Sequence, residues 1–147
     1  MTWLTDTSIL VRTIQTGSSV QQTAINALAE LRIRGEILCV VPQNIIEFWA
    51  VATRPVTANG LGFSIEETSD QIEQIRLHFV LKNDEEPIFE NWRNLVRDYR
   101  VSGKPTHDAR IVGAMQTHRI ENLLTFNVAD FNRYADIITV SAPEDII

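Results

Sequence analysis

Four acids stand at the junctions between apolar segments, and they are the residues with the clearest chemical capacity. Asp6 ends the strand-forming run MTWLT, Glu47 falls in the second turn of a helical stretch, Asp108 lies in the first turn of another, and Asp130 follows the short apolar run LLTF. Carboxylates brought together repel one another, and without a counter-charge they protonate or move apart. A site made only of oxygen donors calls for a hard dication, Mg²⁺ or Mn²⁺. Such an ion supplies Lewis acidity toward a phosphodiester and toward water, so nucleic-acid hydrolysis is the chemistry these acids fit best. Singly, each acid has an ordinary role. Asp6 suits a turn at a strand end, Asp108 suits a helix N-terminus, and Glu47 shares a helix side with Gln43 and Arg54 and suits a solvated face. Only convergence on one place favours the metal reading.

Whether they converge depends on the elements that carry them. Residues 1–5 read as a strand, with a helix starting at Thr7-Ser8. Residues 20–34 space Ala24, Ala27, Leu28 and Leu31 as a helix, with Gly35 as its stop. Ile37–Val41 is a short continuous apolar run, the pattern of a strand buried on both faces, and Pro42 ends it. Gln43–Arg54 carries Ile45, Phe48, Trp49 and Ala52 at helical spacing. TANGLG, at 57–62, reads as a flexible glycine loop. Ser64-Ile-Glu-Glu67 is a capping box that opens a helix with Ile65, Ile72 and Ile75 inward. A short strand is expected at 78–81, and a helix over 84–101 has the stripe Ile88, Trp92, Leu95, Val96 and Tyr99. The helix of Asp108 then buries Ile111, Val112 and Met115. Asn122–Phe126 is a strand, 127–133 a helical turn, and Ile137–Val140 a last strand. The Trp and Phe positions fall on these stripes, which favours core packing over base stacking.

This alternation predicts an α/β fold, a parallel sheet covered by helices on both faces, in a single domain spanning 1–147. In such sheets ligands bind beyond the carboxyl ends of the strands, where strand order reverses. Asp6, Glu47 and Asp130 follow strands. Asp108 opens a helix that runs back toward the start of a strand, so its first turn faces the same edge.

The formal net charge is −6, against broad electrostatic binding of nucleic acid, and bound dications would offset part of it. Arg12, Arg54, Lys104, His107 and Arg110 lie near the expected crevice and are the candidates for holding an RNA backbone. His78, His107 and His118 lack metal-ligand spacing. The lone Cys39 sits in an apolar run and excludes an internal disulfide. No apolar run is long enough to span a bilayer, and the N-terminus lacks a secretory pattern, so a cytoplasmic protein is expected.

The segments LTDTSILV (4–11), IIEFWAVATRP (45–55), THDARIVGA (106–114) and LLTFNVADF (123–131) resemble the PIN-domain family, in particular the ribonuclease toxins of VapBC-type, type II toxin–antitoxin modules. The resemblance covers nearly the whole chain, although 56–104 matches in layout more than in residues. It implies a three-layer α/β/α fold with a five-stranded parallel sheet in the order 3-2-1-4-5. It further implies a Mg²⁺- or Mn²⁺-dependent endoribonuclease, a cognate antitoxin and a homodimer. Asp6, Glu47 and Asp108 match the family's most regular acids. Many relatives carry Asp where this chain has Asn127, so Asp130 is the expected fourth acid and Asn127 an accessory ligand. Thr7 or Ser8 is expected to orient Asp6, and Thr125 to serve beside them. Two rivals stand beside the nuclease: a non-catalytic metal-binding PIN-like interaction module, and a metal-dependent phosphatase. The phosphatase is disfavoured because Ser8 stands where an aspartyl-nucleophile enzyme carries its second acid.

Overall fold

The most apolar short runs become the middle of the sheet. In the computed structural model, which describes residues 1–147, the strands are β1 (Thr2–Thr5), β2 (Ile37–Val40), β3 (Val80–Leu81), β4 (Asn122–Leu124) and β5 (Thr139–Ser141). All pairings are parallel and the order is β3-β2-β1-β4-β5, as expected. Leu4 of the central strand pairs with Cys39 on one side and Leu123 on the other, and all three are fully buried. A strand covered on both faces needs no alternation, which is why β2 (ILCV) is continuously apolar, while the central β1 also buries Thr5. Burial pushes the Cys39 thiol up to about 12. It is therefore a small hydrophobe, with its thiol donating to the Trp3 carbonyl.

The helices are α1 (Thr7–Ile14), α2 (Gln21–Ile33), α3 (Pro42–Thr53), α4 (Ile65–His78), α5 (Pro87–Asp98), α6 (Pro105–His118) and the single turn α7 (Val128–Phe131). α2 buries Ala24, Ala27, Leu28 and Leu31 against Trp3, Leu38 and Leu124. α5 and α6 bury Ile88, Leu95, Ile111, Val112 and Met115 against Leu4, Cys39 and Leu123. A third cluster joins Leu10 of α1, Phe48 and Ala52 of α3 and Ile75 of α4 to Val40. α5 and α6 approach closely at Gly113, where an added Cβ would stand 3.1 Å from the Trp92 nitrogen.

Several local expectations shift. α3 begins at Pro42 itself, since proline fits a first turn whose N–H needs no partner. Asn44 Oδ1 accepts from the Val41 N–H and secures that start. The Ser64–Glu67 capping box forms as expected, but Ile65 is 57% exposed and the inner face of α4 is Thr68 and Ile75, with Ile72 half-buried. Thr68 is tolerated there because its hydroxyl donates to the Ser64 carbonyl. The strand expected at 78–81 shortens to Val80–Leu81, as His78 closes α4. The last strand starts later than expected, because the Ile137 and Ile138 amides bond the Tyr134 carbonyl in a turn. Nor is 57–62 a free loop. A 3₁₀ turn at Val56–Ala58 folds back, with the amides of Leu61, Gly62 and Phe63 bonded to the carbonyls of Val51, Arg54 and Ala52. An added Cβ on Gly60 would collide with the Arg54 carbonyl, so the return requires glycine.

Candidate active site

β1 and β4 are neighbours, while the chain between them builds the other half of the sheet, so strand order reverses at their carboxyl ends. Asp6 leaves β1 at that point. It occupies the N-cap position of α1, where an Asp side chain ordinarily accepts from the helix's own amides. Its carboxylate makes no such cap. Instead Oδ2 accepts from Thr125 Oγ1 at 2.7 Å and from Ser8 Oγ at 2.8 Å, and the residue is only 6% exposed. Thr125 in turn accepts from the Asn127 amide, Ser8 from the Phe126 amide, and the Asp6 amide donates to the Leu124 carbonyl. The ends of β1 and β4 are stitched together around one carboxylate. Two hydroxyls, each accepting from a backbone amide, both donate to it, which an ordinary turn aspartate would not require.

Glu47 is held just as fully. Thr7 Oγ1 donates to its Oε1 at 2.8 Å, and Gln43 Nε2 to its Oε2 at 3.1 Å. Gln43 also donates to the His107 carbonyl at 2.8 Å and accepts from Arg110 Nη1 at 3.2 Å. This differs from the solvated face expected around Glu47: Gln43 is buried and clamps the glutamate to α6. The residue type alone carried no such signal; only its position one turn before Glu47 did.

Asp108 lies in the first turn of α6, with no hydrogen bond from the chain to its carboxylate. Its carboxyl is pushed up to about 6, first by burial, then by the charges of Asp6, Asp130 and Glu47, with His107 opposing. The other three acids thus all act on Asp108. Asp130 is exposed in the first turn of α7 and does not line the cleft, although its charge reaches Asp108. The cleft, about 790 Å³, is lined by Asp6, Thr7, Ser8, Glu47, Asp108 and Asn127, with Arg12 and Arg54 at its edge. Asn127 therefore shares the cleft with the other three acids, and Asp130 does not.

As they stand, no three of the acidic, histidine or cysteine side chains are close enough to grip one ion together. The donor set nevertheless fits a small hard cation. It is all oxygen and rich in negative charge, and Mg²⁺ characteristically takes one or two carboxylates and keeps several waters. Of the cationic candidates, Arg12 and Arg54 border the acid cleft, His107 and Arg110 border a separate pocket, and Lys104 lines neither. Gln43, expected on a solvated helix side, is buried, and Phe89, expected to pack in the core like the other aromatics, is exposed.

No protein-family model matches the sequence, and no curated protein matches it. Solved structures do match over nearly the full length of both chains. The VapBC2 complex from Rickettsia felis, bound to a DNA fragment from its promoter, superposes with a TM-score of 0.73 at 14% identity, covering 97% of this chain and 98% of the other. VapC20 of Mycobacterium tuberculosis, a toxin that cleaves the sarcin–ricin loop, gives 0.65 at 17%, covering 93% and 96%. A toxin–antitoxin complex from Klebsiella pneumoniae gives 0.63 at 24%, covering 95% and 96%. At these identities the likeness establishes the fold: the chain has the PIN-like fold of VapC toxins.

Proposed function

We propose that this chain is a Mg²⁺- or Mn²⁺-dependent endoribonuclease and the toxin of a VapBC-type toxin–antitoxin pair. The observation that carries the reading is Asp6, a buried carboxylate that forgoes capping its own helix and is aimed by Ser8 and Thr125 into a cleft it shares with Glu47 and Asp108. When bound there, the dication supplies Lewis acidity to a phosphodiester and neutralises charge that builds on its oxygens. Asp6 and Asp108 would hold it, with Glu47 and either Asn127 or Asp130 completing the oxygen set through water. Ser8 and Thr125 keep Asp6 oriented, and Thr7 keeps Glu47 oriented. Gln43 keeps Glu47 near α6. Arg12 and Arg54 flank the cleft and are suited to hold the RNA backbone on either side of the scissile bond.

The net charge of −6 suits a cationic protein segment as the regulating partner, and the fold's occurrence in toxin–antitoxin complexes supports an antitoxin in that role. A homodimer belongs to the same reading. No helix is long and apolar enough to cross a membrane.

The test is cleavage of a structured RNA with Mg²⁺ or Mn²⁺ by the wild type, Asp6→Asn and Asp108→Asn. Cleavage that needs the metal and disappears in both variants is the expected result. Equal residual cleavage in all three would end the nuclease reading and leave a non-catalytic metal-binding module. Turnover of phosphomonoesters without RNA cleavage would favour the phosphatase.

A further inference from the structure

A second pocket, about 450 Å³, opens on the far side of α6's first turn, between that turn and the start of α5. Its apolar side is Ile88, Phe89 and Trp92. Phe89 is 60% exposed, although it sits on a helix whose stripe is otherwise turned inward, so core packing does not account for it. The Phe89 and Trp92 rings stand 6.0 Å apart at 41°, and Trp92 is fixed by its Nε1 donating to the Thr106 carbonyl at 2.8 Å. Across from the rings stand His107 and Arg110, and Glu85 and Glu86 complete the rim. The first turn of α6 contributes to both this pocket and the acid cleft. His107 precedes Asp108 directly, the His107 carbonyl accepts from Gln43, and Gln43 joins Arg110 to Glu47.

We propose that this pocket takes one unpaired, amino-bearing base of the RNA strand whose backbone lies in the acid cleft. The proposal rests on the ribonuclease reading above. Aromatic rings that are fixed in place yet open to solvent are what unstacked bases bind, and a guanidinium beside them adds a planar cationic contact. The volume is in the range of small-molecule sites and admits a base with part of its sugar. The rim carboxylates accept hydrogen bonds and favour a base edge that donates. Gln43 and the first turn of α6 then couple the seated base to Glu47 and Asp108, so the pocket chooses which linkage enters the cleft.

Two experiments on the full chain test this. The first cross-links Asp6→Asn protein to a single-stranded RNA carrying one 6-thioguanosine, a photoreactive base that keeps its 2-amino group, at successive positions, and maps the adducts by mass spectrometry. The second compares steady-state cleavage by the wild type, Phe89→Ala and Phe89→Tyr. The expected results are an adduct on Phe89 or Trp92, and a KM raised about tenfold in Phe89→Ala with kcat within about twofold, restored by Phe89→Tyr. Adducts confined to other elements, or an unchanged KM, would overturn the pocket while leaving the nuclease intact. A dimer that becomes a monomer in Phe89→Ala with KM unchanged would likewise overturn it and assign the surface to an interface between copies. An adduct at Phe89 in a protein whose wild type never cuts RNA would keep the pocket and reject the ribonuclease.

Discussion

The two walls of the acid cleft are built on opposite principles. On the β1–β4 wall, Asp6 is buried, accepts from two hydroxyls and is locked by the backbone around it. On the α6–α7 wall, Asp108 has no donor and is opposed by three other carboxylates, and Asp130 stands outside in solvent. One wall is finished without a ligand; the other is under electrostatic tension that a dication would relieve. A site so divided costs stability on one side and secures geometry on the other, the usual trade where folded structure serves chemistry rather than itself.

Asp6→Asn removes the charge but keeps an acceptor for Ser8 and Thr125, so metal-dependent RNA cleavage should fall by about a hundredfold or more while the melting temperature changes little. A large loss of stability instead would make Asp6 structural. Thr125→Val removes the 2.7 Å donor, and cleavage should drop by roughly 10–100-fold, as when a supporting group behind a metal ligand is lost. Activity equal to the wild type would mean that the locked wall has no catalytic meaning.

Asp108→Asn should behave oppositely in stability. The folded carboxyl titrates near 6, above its ordinary value of 3.8. Between those values the folded state keeps a proton that the unfolded chain has released, so stability falls as pH rises through that window. The asparagine variant should lose this slope and be more stable at neutral pH by about 1 kcal/mol, a figure reduced for partial exposure to solvent. Denaturant midpoints from pH 4 to 7 measure it, and parallel curves for the two proteins would contradict the tension. Smallest of all, Asp130→Asn should cost less than about tenfold in cleavage, because an exposed charge acts through screened water.

The parallel sheet and the meeting of Asp6, Glu47 and Asp108 at one sheet edge were legible from short apolar stretches alternating with helical ones, whereas the strand order was legible only through the resemblance to the PIN-domain family. What was hidden depended on contacts between distant segments. Nothing local distinguishes Gln43 as a clamp, since its partners are Glu47, the His107 carbonyl and Arg110. Phe89 looks like any helical aromatic until the α5–α6 packing leaves it outside. The loop at 57–62 has the composition of a mobile segment, yet its amides are bonded to the end of α3. Asn127 and Asp130 differ in reach because of the single turn of α7, a geometry too short to carry a periodic signal.

The most direct test is Mn²⁺ binding followed by electron paramagnetic resonance, with no RNA present, in the wild type, Asp6→Asn and Asp108→Asn. Bound Mn²⁺ is expected in the wild type, with most of it lost in Asp6→Asn and binding weakened in Asp108→Asn. Mn²⁺ bound equally by all three would contradict a metal centre at this cleft.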